Sequence, residues 1–373
     1  MSAPVSVLFV SHSLGPGGSE RQLAALSRAL DRTRFRAHAA TVVDGCRAEE
    51  MRSDGIAVID LPLRSYFGPS TLQAARALRN YIDRHEIKLV HTFDYSLSLF
   101  GVAVARSCGI AALSSQRFFM DSVPIKYRPV VLAAHWLAHG VVVNSEALRR
   151  YVHEQCKYPL HRINLCPNGI DARVFYPGNR ARLGLMAECP LVVGSVSVLR
   201  KEKNLGHLIA AFARVRPSVP AAKLLIVGSG PEEEQLKDQA VRLGLQDACV
   251  FLPSTADVAP ALRSIDIFVS PSLTEGMPNG VIEAMACGCM VIASRTGGTP
   301  ELITHGVHGL LAHPNDLDDL VFQLRNAIDD LEGRQRMAAA AAHRAAAEFS
   351  ILTAARRLEE IYKRYLGASA GGG

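Results

Sequence analysis

Glu275 and Glu283, with seven residues between them, lie in the stretch Ser270 to Ala286, SPSLTEGMPNGVIEAMA. The run before it, Ile265 to Val269, is apolar and β-branched enough to be a buried strand. Pro271, Gly276, Pro278 and Gly280 then force an irregular turn, and Val281 to Met285 reads as the start of a helix. Glu275 therefore sits in the turn, and Glu283 about one turn into the helix. A helix N-terminus carries about half a positive charge and unpaired N–H groups, which suits a phosphate. A carboxylate on that helix accepts hydrogen bonds from hydroxyls beside the phosphate. The unit thus suits a molecule that is both phosphate and sugar, a nucleotide sugar.

A second phosphate-type turn follows the first strand, at Gly15-Pro16-Gly17-Gly18. Glycine lets backbone N–H groups approach a phosphate or sugar closely. It is not a dinucleotide fingerprint, because the third glycine position holds Glu20; Gly228-Ser229-Gly230 fails the same test at Glu233. Both read as tight strand-to-helix turns. Asp316-Leu317-Asp318 has the carboxylate spacing of a divalent-ion site, but it follows Pro314-Asn315 and opens an amphipathic helix, so N-terminal capping accounts for it.

The order of these and other motifs resembles a known family. GPGGSE at Gly15 to Glu20, VNS at Val143 to Ser145, PNGID at Pro167 to Asp171, EKN at Glu202 to Asn204, LLIVGSGPE at Leu224 to Glu232 and TGGTPELI at Thr296 to Ile303, together with the paired glutamates, are similar to the retaining glycosyltransferase family 4. The resemblance implies an α/β chain of the GT-B type: two facing Rossmann-like doubly wound domains, with a C-terminal helix crossing back to the first. It implies a sugar moved from a UDP- or GDP-linked donor to a hydroxyl of a glycan or lipid-linked acceptor, with no cofactor and no metal. Glu283 would bind the ribose hydroxyls and Glu275 those of the transferred sugar. The N–H groups of Gly276, Met277, Asn279, Gly280 and Val281, with Pro278 shaping the turn between them and Gly298 beside it, would line sugar and diphosphate. Gly17 and Gly18 would reach the donor from the first domain.

A departing diphosphate needs positive charge, because charge grows on it in the transition state. Lys203 matches the family's diphosphate-binding lysine. The family's arginine about five residues earlier is Val198 here, and Arg200 is the candidate to supply that charge from a shifted turn. The histidine that many relatives carry after a middle strand is also absent: Ala111 to Ser115 leads into Gln116-Arg117-Phe118-Phe119, and Arg117 is the cation available there. His12 and His91 end strands on the same side and read as polar loop residues. The rival readings are a sugar-nucleotide epimerase or a phosphorylase on the same fold, and a non-catalytic glycan- or protein-binding member. No lysine stands out for pyridoxal phosphate, and an epimerase would turn over donor without acceptor.

The elements that must hold these residues alternate. Strands are expected at Val5 to Val10, Ala37 to Val43, Ala57 to Leu63, Lys88 to Phe93, Ala111 to Ser115, Val141 to Asn144 and Ile163 to Cys166, with helices between. Composition loosens over Arg173 to Cys189, and a second series starts at Leu191 to Val196. Domains are therefore expected at 1–172 and 188–348, with the helix 351–366 returning to the first and 367–373 a disordered tail.

The chain of 373 residues fits two domains. Half hydrophobic and a fifth charged, it is globular in composition. The longest apolar run, Pro129 to Val143, is broken by His135 and His139, and the N-terminus lacks a basic segment before its apolar one, so a cytoplasmic location is expected. Residues 1–170 carry 20 Lys+Arg against 13 Asp+Glu, and 171–373 carry 21 against 22. That basic half is compatible with peripheral contact at an anionic membrane or a phosphate-bearing acceptor, and equally with an ordinary solvated surface. Nucleic acid is not expected, for no binding motif or dense basic stripe accompanies the charge. The eight cysteines are scattered, and Cys287-Gly288-Cys289 has no matching pair for zinc.

Overall fold

The computed structural model describes residues 3–66, 68–178 and 182–369. Contacts divide the chain into two units, Met1–Gly169 with Ile351–Gly373, and Ile170–Ser350.

In the first unit β1 (Val5–Ser13) leads to α1 (Gly18–Ala29), β2 (Phe35–Val43), α2 (Cys46–Ser53), β3 (Ala57–Asp60), α3 (Pro69–Arg84) and β4 (Ile87–Thr92). The chain continues through α4 (Ser98–Ser107), β5 (Ala111–Gln116), α5 (Arg128–Leu137), β6 (Gly140–Val143), α6 (Glu146–Glu154) and β7 (Ile163–Leu165). All pairings are parallel, in the order β3-β2-β1-β4-β5-β6-β7. Alternation along β1 sends Val7 and Phe9 into one core with Leu23 and Leu26 of α1, and Leu8 and Val10 into the other with Leu78 of α3 and Val102 of α4. Both faces are covered, which is why the strands read as unbroken apolar runs.

The second unit repeats the plan with β8 (Val192–Val196), α7 (Leu205–Val215), β9 (Lys223–Val227), α8 (Glu233–Arg242), β10 (Cys249–Leu252), α9 (Ala259–Arg263) and β11 (Ile267–Ser270). It ends with α10 (Asn279–Ala286), β12 (Met290–Ser294), α11 (Thr299–Leu302), β13 (Leu310–Ala312), α12 (Leu317–Asp329) and α13 (Leu331–Glu348). Its sheet is also parallel, in the order β10-β9-β8-β11-β12-β13. Ile267 and Val269 pack with α7 and α12, while Phe268 packs with Val281 and Ile282 of α10 and Ala341 of α13. Among the described residues no helix is long and apolar enough to cross a membrane.

α14 (Ile351–Ser369) belongs to the first unit. Leu358 and Tyr362 enter its core, Glu359 Oε1 accepts from the Asp31 N–H at 2.9 Å, and Asn164 Nδ2 donates to Tyr365 Oη at 2.9 Å. Gly140 is glycine for this reason, since a Cβ there would lie 2.1 Å from Tyr365 Oη. The helix runs three residues further than the sequence suggested: Gly367 to Ser369 are helical rather than tail, because one glycine in a helix costs only about 1 kcal/mol. Residues 370–373 lie outside the described ones.

The segment left as a loose connection also has a place. Ile170 N–H donates to Phe349 O at 2.8 Å, Phe175 joins the second core, and Arg182 pairs with Asp266 at 2.9 Å, so the change of unit falls at Gly169.

His91 and His135 are each 1 % exposed. His91 lies inside β4, bonded to Tyr362 Oη at 2.8 Å and Ser115 Oγ at 2.9 Å, which corrects its reading as a loop residue. Burial pushes both rings down to about 3, with Arg117 adding to the effect at His91. Both are neutral when folded and protonate near pH 6.5 when unfolded, so the stability they contribute is present above pH 6.5 and lost as pH falls toward 3. Unfolding free energy should fall by about 2 kcal/mol per histidine between pH 7 and pH 5. His135→Gln should remove its share of that slope; denaturant midpoints that do not move from pH 7 to pH 5 would contradict it.

Candidate active site

In the second sheet the chain runs β8, β9, β10 in one direction and β11, β12, β13 in the other. The reversal falls between β8 and β11, and ligands of open α/β sheets bind outside the carboxyl ends at that point. Three loops leave those ends side by side: 197–204 after β8, 271–278 after β11 and 295–298 after β12. The Leu273 N–H donates to Glu202 O at 2.8 Å, the Thr296 hydroxyl to Leu273 O at 3.1 Å, and the Gly298 N–H to Gly276 O at 3.0 Å. Two backbone bonds therefore fix the three loops to one another, and the Thr296 side chain adds a third.

The loop after β8 is shaped by close approach. A Cβ at Gly228 would lie 1.8 Å from Ser197 O, and one at Gly230 2.3 Å from Leu199 O, so the turn after β9 holds glycine where the loop crosses it. Lys201–Lys203 makes a single 3-10 turn, and Asn204 in the left-handed region (φ 52°) redirects the chain into α7. That geometry presents Lys203 to the neighbouring loop. Its Nζ donates to Glu275 Oε1 at 2.6 Å, with side-chain exposures of 24 % and 11 %. The Ser272 hydroxyl donates to the same oxygen at 2.8 Å. Glu275 is thus an ion-paired, doubly hydrogen-bonded carboxylate.

α10 starts at Asn279, two residues earlier than its apolar pattern suggests, because Pro278 ends the extended turn and Asn279 and Gly280 form the first turn. A Cβ at Gly280 would come within 3.1 Å of Val196 O, which brings the start of α10 against the end of β8. Asn279, Gly280 and Val281 supply the first-turn amides, which have no partner within the helix. Glu283 lies on the second turn and is 2 % exposed, in a helix where Val281 to Ala286 are all buried.

Arg200 does not join this group. It lies on the same loop, its side chain is 60 % exposed, and its ion pair is with Glu202 at 3.9 Å. The structure therefore brings Lys203, Glu275, Gly276 and Gly298 together and leaves Arg200 in solvent. Asp316 caps α12, accepting from the Asp319 N–H at 3.0 Å. Ser272 was not anticipated; its only signal was a hydroxyl three residues before the glutamate.

In the first unit Gly17 is the N-cap of α1 and Gly18 its first residue. A Cβ at Gly17 would lie 2.2 Å from Glu20 Oε2, so the Glu20 carboxylate folds back over the start of the helix.

The comparisons agree with this geometry. The model described as Glycosyltransferase Family 4 matches residues 16–174, and that described as Glycosyl transferases group 1 matches residues 185–344. The chain is 32 % identical over 200 residues to N-acetyl-alpha-D-glucosaminyl L-malate synthase of Bacillus anthracis, covering 53 % of this chain and 52 % of that protein. It is 34 % identical over 200 residues to D-inositol 3-phosphate glycosyltransferase of Stackebrandtia nassauensis, covering 50 % and 45 %. The chain thus spans about half the length of the curated relatives it matches. A crystal structure of Anabaena HepE with UDP and glucose superposes with a TM-score of 0.85 at 23 % identity, over 96 % of this chain and 99 % of that one.

A double-mutant cycle on Lys203→Met and Glu275→Gln, read as unfolding free energy without ligand, should give a coupling of about 1–2 kcal/mol, larger than an exposed pair contributes. Coupling within error of zero would show that the two side chains do not hold each other.

Proposed function

The chain belongs to glycosyltransferase family 4, and from that premise we propose that it is a retaining glycosyltransferase. It moves a hexose from a UDP- or GDP-linked donor to a hydroxyl of a glycan or lipid-linked acceptor. The observation that carries the proposal is the Lys203–Glu275 pair at 2.6 Å, set at the reversal of strand order with Glu283 buried on the helix behind it.

Each residue has a part that its surroundings support. Lys203 exchanges Glu275 for an oxygen of the diphosphate and offsets the charge that grows as the glycosidic bond breaks. Glu275, released from the lysine but still held by Ser272, accepts from hydroxyls of the transferred sugar. The hydrogen bond it keeps from Ser272 lowers its nucleophilicity, which favours front-face attack. There the leaving diphosphate helps to remove the acceptor's proton, and the anomeric configuration is kept. Glu283 takes the ribose hydroxyls, and the first-turn amides of α10 meet the diphosphate. HepE, which shares the fold, is the protein seen with UDP and glucose; the same class of donor is assigned here by proposal. The matched relatives are named as synthases and glycosyltransferases, which leaves the epimerase reading without support.

Peripheral contact with an anionic membrane, which would present a lipid-linked acceptor, belongs to the same proposal. In the first unit Ile125 is 79 % and Trp136 53 % exposed, in a segment that also carries Lys126 and Arg128. An apolar and aromatic surface with basic neighbours suits such a membrane.

Steady-state kinetics on the nucleotide sugar that raises the melting temperature most should separate the roles. Lys203→Ala should lower kcat about 100-fold with a smaller change in donor KM. Glu283→Ala should raise donor KM about tenfold with a smaller change in kcat. Wild-type activity in both variants would remove this site from the reaction.

A further inference from the structure

An aromatic cleft lies on the first unit's sheet at the edge opposite the carboxyl ends of its strands. α5 and α6 are the crossovers that follow β5 and β6 and run back along the sheet, so their last turns reach its amino edge. The nine residues of α6 put about 14 Å between the two edges. At the amino edge Trp136, His153, Glu154, Lys157, Tyr158 and Pro159 line an open cleft of about 610 Å³, within the size range of small-molecule sites.

The way α6 ends builds this cleft. Lys157 takes the left-handed region (φ 55°), which favours glycine, and turns the chain back on the helix. The Tyr158 N–H then donates to Val152 O at 3.2 Å, and His153 Nδ1 donates to Tyr158 O at 2.9 Å. Tyr158 is thereby fixed at both backbone groups and is 1 % exposed, with the Arg162 guanidinium 5.1 Å from its ring centre. Its ring meets that of Trp136 edge to face, 5.3 Å apart at 66°. Trp136 is backed by this fixed ring and is still 53 % exposed.

The polar groups around the indole are free to meet a ligand. Glu154 and Lys157 are exposed, and neither has a partner among the described residues. His153 uses Nδ1 on Tyr158 O and keeps Nε2. The Tyr158 hydroxyl is buried without a protein partner. An aromatic face carries partial negative charge, which suits the C–H face of a pyranose. Acceptors beside a donor suit its hydroxyls, which both give and take hydrogen bonds. One acid against one base in the lining leaves no net charge with which to select an anion.

We propose that this cleft binds a neutral oligosaccharide. Trp136 stacks on one sugar ring, Lys157 donates to its hydroxyls, and Glu154 and His153 Nε2 accept from them. Its task as a hold on the glycan acceptor rests on the transfer reading; the binding itself does not. Trp136 is also part of the surface assigned to membrane contact, and the two occupants make opposite demands. The Glu154 carboxylate repels an anionic bilayer, whereas the sugar needs it.

Trp136 is the chain's single tryptophan, so its emission reports this cleft directly. Titrating the full chain with neutral gluco-, galacto-, manno- and N-acetylglucosamine oligosaccharides should give a saturable change in emission with at least one of them. Glu154→Gln and Lys157→Gln, both at exposed positions, should each weaken that apparent affinity about tenfold. Vesicles of equimolar phosphatidylcholine and phosphatidylglycerol are the second arm. An emission change with these vesicles and none with any sugar assigns Trp136 to the bilayer and overturns the proposal. A sugar response equal in wild type and both variants overturns it as well. In turnover, Glu154→Gln should raise KM for an oligosaccharide acceptor and leave KM for a monosaccharide acceptor unchanged; any other pattern overturns the acceptor role. Absence of turnover with any nucleotide sugar defeats the transfer reading, while the emission titration still decides the cleft.

Discussion

A lysine and a carboxylate 2.6 Å apart, both partly buried and both held by their loops, are the constraint on which this site depends. They meet because β8 and β11 are neighbours at the one place where the sheet reverses its order. Parallel strands with crossover helices put every following loop at the same edge, and the reversal leaves room between two of them. The glycines beneath fix how closely those loops approach. Gly228 and Gly230 let the 197–204 loop lie on the turn after β9, and Gly280 lets α10 begin against the end of β8. Replacing backbone contact by side chains at these points would move Lys203 away from Glu275.

Both units keep polar groups where apolar ones would be expected, and in different ways. In the second, Glu283 stands 2 % exposed among the buried residues Val281 to Ala286 of α10. In the first, His91 and His135 are kept neutral within satisfied hydrogen bonds, one to Tyr362 and Ser115, the other to Gln116 and Ser114. Those histidines are structural, since each ring nitrogen already has a partner. Arg117 differs, being charged, buried and matched only by an amide oxygen and a ring face.

The parallel alternation was legible because doubly covered strands are nearly all apolar, and Lys223–Val227, Cys249–Leu252 and Met290–Ser294 have the bounds their pattern suggests. What escaped had weak local signals. β13 is three residues long, α2 reads CRAEEMRS with charge on every side, and α11 is a single turn opened by Thr299-Pro300. Lys203 and Glu275 could be singled out from motif spacing, but their contact could not, since it depends on strand order. Arg200 shows the opposite case: spacing placed it near the lysine, while the 3-10 turn carries it into solvent against Glu202. The depth of Glu283 was hidden for a related reason. Its helix is buried from Val281 to Ala286, and packing from α9, β11, β12 and α13 makes it so.

A crystal structure of the protein with the nucleotide sugar that stabilises it most tests the central claim directly. The account predicts a diphosphate oxygen within hydrogen-bond distance of Lys203 Nζ, the lysine drawn away from Glu275, and ribose hydroxyls on Glu283. A nucleotide sugar bound elsewhere on the chain, with the lysine still on the glutamate, would contradict it.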